Sequence, residues 1–157
     1  MTEIDRIADQ LERALYGEAW HGPALAELLA DLEAEAAATR PLPGAHSIWE
    51  IVLHVDAWHG GVARRLAGEE VDLADADDWP PVTDTSERAW RAARGALRES
   101  HRKLLESVRG LPPERLDEEA PGSRWDLYQT LHGLVQHDLY HAGQIALLKK
   151  PGSAKGR

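Results

Sequence analysis

Four long stretches of this chain repeat apolar residues every three or four positions, and none alternates them every second position. This constrains the fold more than any other feature. A 3.6-residue period buries one stripe of a helix, whereas a half-buried strand needs a period of two. The first stretch runs from about Thr2 to Tyr16, with Ile4, Ile7, Ala8, Leu11 and Leu15 on one face. Gly17, Gly22 and Pro23 interrupt it, and a shorter piece carries Leu25, Leu28, Leu29 and Leu32. Thr39–Gly44, rich in Pro and Gly, reads as a loop.

The second long stretch has a clear start, because Ser47 and Glu50 stand at capping-box spacing. Ile51, Val52, Val55, Trp58, Val62 and Leu66 form its stripe, and Gly68 suits its C-terminal end. Residues 68–83, acidic and containing Pro80-Pro81, read as a solvated connection. Asp84 and Glu87 are placed to open a third helix that buries Trp90, Ala93, Leu97, Leu104 and Val108, and Pro112-Pro113 closes that region. The last helix is predicted from about Asp126 to Lys150, with Leu127, Leu131, Leu134, Ile145 and Leu148 inward. The expected fold is therefore all-α, a four-helix bundle. Its long connections free it from a simple up-down order. Residues 1–150 are expected to form one domain and 151–157 a flexible tail.

Charge and composition narrow the function. The net charge is −9, from 18 basic and 27 acidic side chains. Arg and Lys are scattered among acids, so the basic stripe of a nucleic-acid binder is missing. No apolar run approaches the ~18 residues that a membrane span needs. Met1–Asp5 carry no basic or apolar leader pattern, so a cytoplasmic protein is expected. There is no cysteine, which excludes disulfides, thiolate ligands and a cysteine nucleophile. Any thiol chemistry must use a thiol from outside.

The sharpest chemical feature is His137 and His141, four residues apart on the last helix and hence on one face. Two such imidazoles can grip one metal ion, or they can be core residues with other partners. His54 borders the stripe of the second long helix. If it packs opposite the pair, three nitrogens leave a coordination position open for water or substrate. Such a set suits Zn, Ni, Fe or Cu. His101 also falls on an apolar stripe and is expected in the core rather than as a fourth ligand, and His46 is expected to bond a helix end. His132 points about 140° away from His137 and should not join the pair. His137-Asp138-x-x-His141 differs from the HExxH metalloprotease motif, since Asp is shorter than Glu and no third ligand follows. Asp138 is expected to be solvated or to orient an imidazole. The acidic stretch Glu69–Asp78 lacks the glycine and terminal Glu of an EF-hand loop.

Two blocks carry a wider resemblance. They are His46-Ser47-Ile48-Trp49-Glu50-Ile51-Val52-Leu53-His54-Val55-Asp56-Ala57-Trp58 and Leu131-His132-Gly133-Leu134-Val135-Gln136-His137-Asp138-Leu139-Tyr140-His141-Ala142-Gly143-Gln144-Ile145. In this order they resemble the DinB/YfiT-like superfamily of bacterial four-helix bundles, and the resemblance extends over most of the chain. It implies a divalent metal (Zn, Ni or Fe) held by His54, His137 and His141. It also implies a metal-dependent transferase using a low-molecular-weight thiol such as bacillithiol or mycothiol, acting on a small-molecule substrate, and a homodimer. The alternative is a non-catalytic metal- or small-molecule-binding stress-response protein. Tyr140 and Gln144 are expected to shape the pocket.

Overall fold

The computed structural model describes residues 1–72 and 75–150. Four long helices dominate it: α1 (Glu3–Tyr16), α4 (Ile48–Leu66), α6 (Glu87–Arg109) and α7 (Leu127–Leu148). Shorter α2 (Leu25–Leu29), α3 (Ala34–Ala38) and α5 (Asp75–Asp78) and a 3-10 turn (Pro113–Asp117) fill the connections. The described residues contain no strand; Glu119 and Asp126 form one isolated antiparallel bridge. The tail expected at 151–157 lies outside the described residues, as do Leu73 and Ala74 of the acidic connection.

Local chemistry sets the helix starts. Thr2 Oγ1 accepts from Asp5 N–H while the Asp5 carboxylate accepts from Thr2 N–H, a reciprocal box that satisfies two orphan donors. Ser47 and Glu50 do the same for α4, as their spacing predicts, and Asp126 and Gln129 do so for α7. The third long helix starts differently from expectation. Ser86 caps it, accepting from Ala89 N–H, while Asp84 bonds the Ser86 N–H. Glu87 instead reaches across the fold to accept from Ala34 N–H at 2.6 Å, which ties α3 to α6.

The long helices pack in a ring. α1 contacts α6 and α7, and α4 contacts α6 and α7. Consecutive long helices α1 and α4 therefore sit diagonally, which the long connections permit and an up-down bundle would not. The predicted stripes face inward: Ile7, Leu11, Val52, Val55, Leu97, Leu104, Leu127 and Leu131 are all buried. Each large apolar side chain taken from water contributes roughly 1.5–3 kcal/mol. Trp90 is fully buried, and its indole N–H donates to the Leu32 carbonyl at 2.7 Å, so the ring leaves no unpaired donor inside. Gly122 allows the closest backbone approach. Its φ is +68°, and a Cβ there would stand 3.2 Å from Val71 N, so this turn holds the α4–α5 connection against the segment before α7.

Candidate metal centre

α4 and α7 bring His54, His137 and His141 together, although 83 residues separate His54 from His137. One nitrogen from each ring lies within 4.8 Å of the other two. His54 Nε2 and His137 Nε2 are 2.9 Å apart. The His137 and His141 rings meet edge to face at 4.4 Å, as i, i+4 spacing dictates.

The far sides of two rings are tied down. His54 Nδ1 lies 2.7 Å from the Asp78 carbonyl, which can only accept, so Nδ1 carries the hydrogen. His141 Nδ1 donates to Gln144 Oε1 at 2.7 Å. Each leaves Nε2 with a free lone pair. Burial pushes both imidazoles toward the neutral form. For His54, desolvation outweighs the pull of the Asp78 carbonyl. For His141, desolvation and the His137 charge bring the pKa to about 4.

This arrangement fits a cation. Suppose His137 donates Nε2–H to His54; then its bare Nδ1, which has no hydrogen-bond partner, lies 3.6 Å from the Asp138 carboxylate. Suppose instead that Nδ1 carries the hydrogen toward Asp138; then two lone pairs face each other at 2.9 Å. Either neutral tautomer leaves a repulsion that a positive ion between the nitrogens would remove. Nitrogens about 2.0–2.1 Å from a metal sit ~3.4 Å apart in a tetrahedral set, so small side-chain shifts suffice.

The connection before α6 does more than join helices. Trp79 lies flat between two imidazoles, 3.6 Å from His46 and 3.9 Å from His54. The Asp78 carboxylate accepts the Trp58 indole N–H at 2.7 Å. Reading this acidic stretch as solvated therefore misses Asp78 and Trp79. Their signal was present, since an isolated Trp in an acidic loop seeks an apolar or aromatic surface. His46, expected to bond the helix end, stacks on Trp79 and stands 3.9 Å from Glu50.

Solvent reaches the group mainly through His137, whose side chain is 22% exposed against 7% for His54. His137 also lines a cavity of about 690 Å³, together with Trp58, Arg65, Trp125, Tyr128 and His132. The Arg65 guanidinium lies 5.8 Å above the Trp58 ring and donates to the Val71 carbonyl. The walls are thus aromatic with added positive charge, suited to a small molecule with a flat or anionic part. His132 stays outside the triad, as expected. Gln144 touches the group directly. Tyr140 is 65% exposed with its ring 5.3 Å from His141, and neither Tyr140 nor Gln144 lines this cavity.

A second group was not foreseen as a group. Asp138, expected to be solvated or to orient an imidazole, is fully buried, with both carboxylate oxygens against His59 Nε2 at 3.0 and 2.9 Å. Burial pushes its pKa up, but His59, through its charge and its hydrogen bond, and the nearby His137 ring pull it below the usual range. His101 is in the core, as its stripe position predicts, with its ring 5.0 Å from His59.

The family model of the DinB superfamily matches residues 19–145, well over half of the chain. The chain belongs to the DinB superfamily. The match spans both histidine-bearing helices, and the all-helical architecture agrees with it. No curated protein and no solved structure matches this DinB-superfamily chain. Among the described residues, no helix is long and apolar enough to cross a membrane.

Proposed function

We propose that this protein is a metal-dependent transferase in which His54, His137 and His141 hold one divalent ion, Zn, Ni or Fe, and an external low-molecular-weight thiol is the nucleophile. The observation that carries this reading is the convergence of three imidazole rings beside a cavity in a chain without cysteine. The ion would supply the positive charge that lets a thiol lose its proton near neutral pH. His54 and His141 keep their Nε2 lone pairs inward because Asp78 and Gln144 occupy their Nδ1 hydrogens. Trp79 and Trp58 wall His54 from bulk water on two sides. The cavity would hold the acceptor against His137, with Arg65 favouring an anionic group.

A second copy of the chain is part of the same reading. The exposed face of α7 carries Gln129, Gly133, Gln136, Tyr140, Gly143 and Leu147 and no charge, and an uncharged helix face supports self-association. Analytical ultracentrifugation would show a dimer that Gly143→Arg converts to monomer.

The function is tested by elemental analysis and by conjugation of a small thiol to an electrophile. Wild type should hold one ion at this group and turn over, and His141→Ala should lose both. Conjugation that survives complete metal removal overturns the mechanism. A bound ion with no turnover for any thiol and electrophile pair leaves a binding protein.

A further inference from the structure

We propose that His59, His101 and Asp138 form a second divalent-metal site, sealed in the core and separate from the candidate transferase centre. One residue comes from each of α4, α6 and α7, and all three are 0% exposed. Their donor atoms lie within 4.8 Å of one another. Among the described residues, the outer triad is the one other place where three such groups meet.

The argument rests on nitrogens without partners. His101 is buried, and both its Nδ1 and Nε2 lack any hydrogen bond. His59 Nδ1 is also without a partner. A neutral imidazole has one donor and one acceptor, and leaving either dry and unpaired is costly. Around His101 the nearest described rings are His59 at 5.0 Å and Tyr16, edge-on at 5.5 Å. Desolvation keeps His101 neutral, with a pKa of about 3. A neutral buried imidazole facing a carboxylate and a second imidazole is a ligand set, not an ion pair.

The donor chemistry fits a zinc-like ion. Two imidazoles and a carboxylate supply the donors once His59 Nε2, which now donates to both Asp138 oxygens, passes its hydrogen to the unpartnered Nδ1 and turns its lone pair to the ion. Donors on a tetrahedral ion are ~3.4 Å apart, so the widest pair must close by roughly 1 Å. The carboxylate offsets half the charge of a divalent ion. With no ligand exposed, no position is open to substrate. Such an ion would enter as the chain folds and clamp α4, α6 and α7 beneath the first centre. Asp138 Oδ1 lies 3.6 Å from His137 Nδ1, so the two sites would stand back to back.

The test is refolding of the full chain with Zn²⁺, followed by elemental analysis and diffraction at the zinc edge. Wild type should hold two ions per chain and give two anomalous peaks, one between His59, His101 and Asp138. The double variant His137→Ala, His141→Ala should keep one ion, which separates this proposal from the fate of the first centre. Adding His101→Leu should remove that ion, together with the rise in Tm that Zn²⁺ gives the double variant. One ion in wild type that vanishes in the double variant overturns the proposal, as does an ordered water in place of the second peak. If His101→Leu does not fold, the wild-type anomalous map still decides.

Discussion

The two histidine groups of this bundle use the same residue types in opposite settings. In the outer group, Asp78 and Gln144 hold the back nitrogens of His54 and His141, and His137 opens onto a cavity. In the inner group, among the described residues, nothing holds the back nitrogens, neither ring reaches solvent, and Asp138 is the one hydrogen-bonded partner. The outer group has what a working site needs, namely oriented donors and an approach. The inner group has what a clamp needs, burial and a countercharge. Residue identity does not separate these roles; the partners of the second ring nitrogen and the path to solvent do.

The largest expected effect separates the two groups by stability. Asp138→Asn replaces the buried carboxylate that accepts from His59 Nε2 with a neutral amide, a change that costs about 3 kcal/mol. Tm should fall by roughly 6–12 °C. His137→Ala removes a side chain that is 22% exposed and should shift Tm by no more than ~4 °C. Equal losses in a thermal melt would erase the distinction. Next in size is the outer group's grip. Gln144→Leu frees His141 Nδ1, and zinc affinity by competition titration should drop about 10–100-fold while the fold stays intact. An unchanged affinity would show that Gln144 does not orient the ring.

pH sharpens the contrast further in metal-free protein. The folded pKa of His101 is lowered to about 3 from an unfolded 6.5. The unfolded chain therefore takes up the proton first. His101 stabilises the fold fully above pH ~6.5, and that contribution is lost as pH falls toward 3, at up to ~1.4 kcal/mol per pH unit. His141 acts the same way, down to about 4. Tm should fall between pH 6.5 and 4, and His101→Leu should flatten the slope; a parallel slope would mean that His101 is not buried neutral. The smallest effect is expected at Tyr140, 65% exposed. Tyr140→Ala should change stability by less than ~0.5 kcal/mol and leave zinc affinity unaltered.

Much of this was legible in the chain. Helix type and extent followed from apolar periodicity, because burial selects one stripe per helix, and the Ser47–Glu50 box marked a boundary that the structure keeps. The outer triad was legible because His137 and His141 share a helix face and His54 sits beside a known stripe. Asp78 and Trp79 were hidden, because a loop's contacts depend on where the chain folds back and not on local period. The inner group was harder still. His59, His101 and Asp138 lie on three helices, and each alone reads as an ordinary core or surface residue.

The sequence by itself determined that the chain is helical, which faces of its helices are apolar, and that any thiol must come from outside. These are local or compositional facts, carried by residue spacing and by the lack of cysteine. Only the tertiary structure decided that α1 and α4 lie diagonally, that Trp79 is held between His46 and His54, and that Asp138 is buried against His59. Those outcomes depend on how helices are placed around one core, and spacing along a chain carries no such distance.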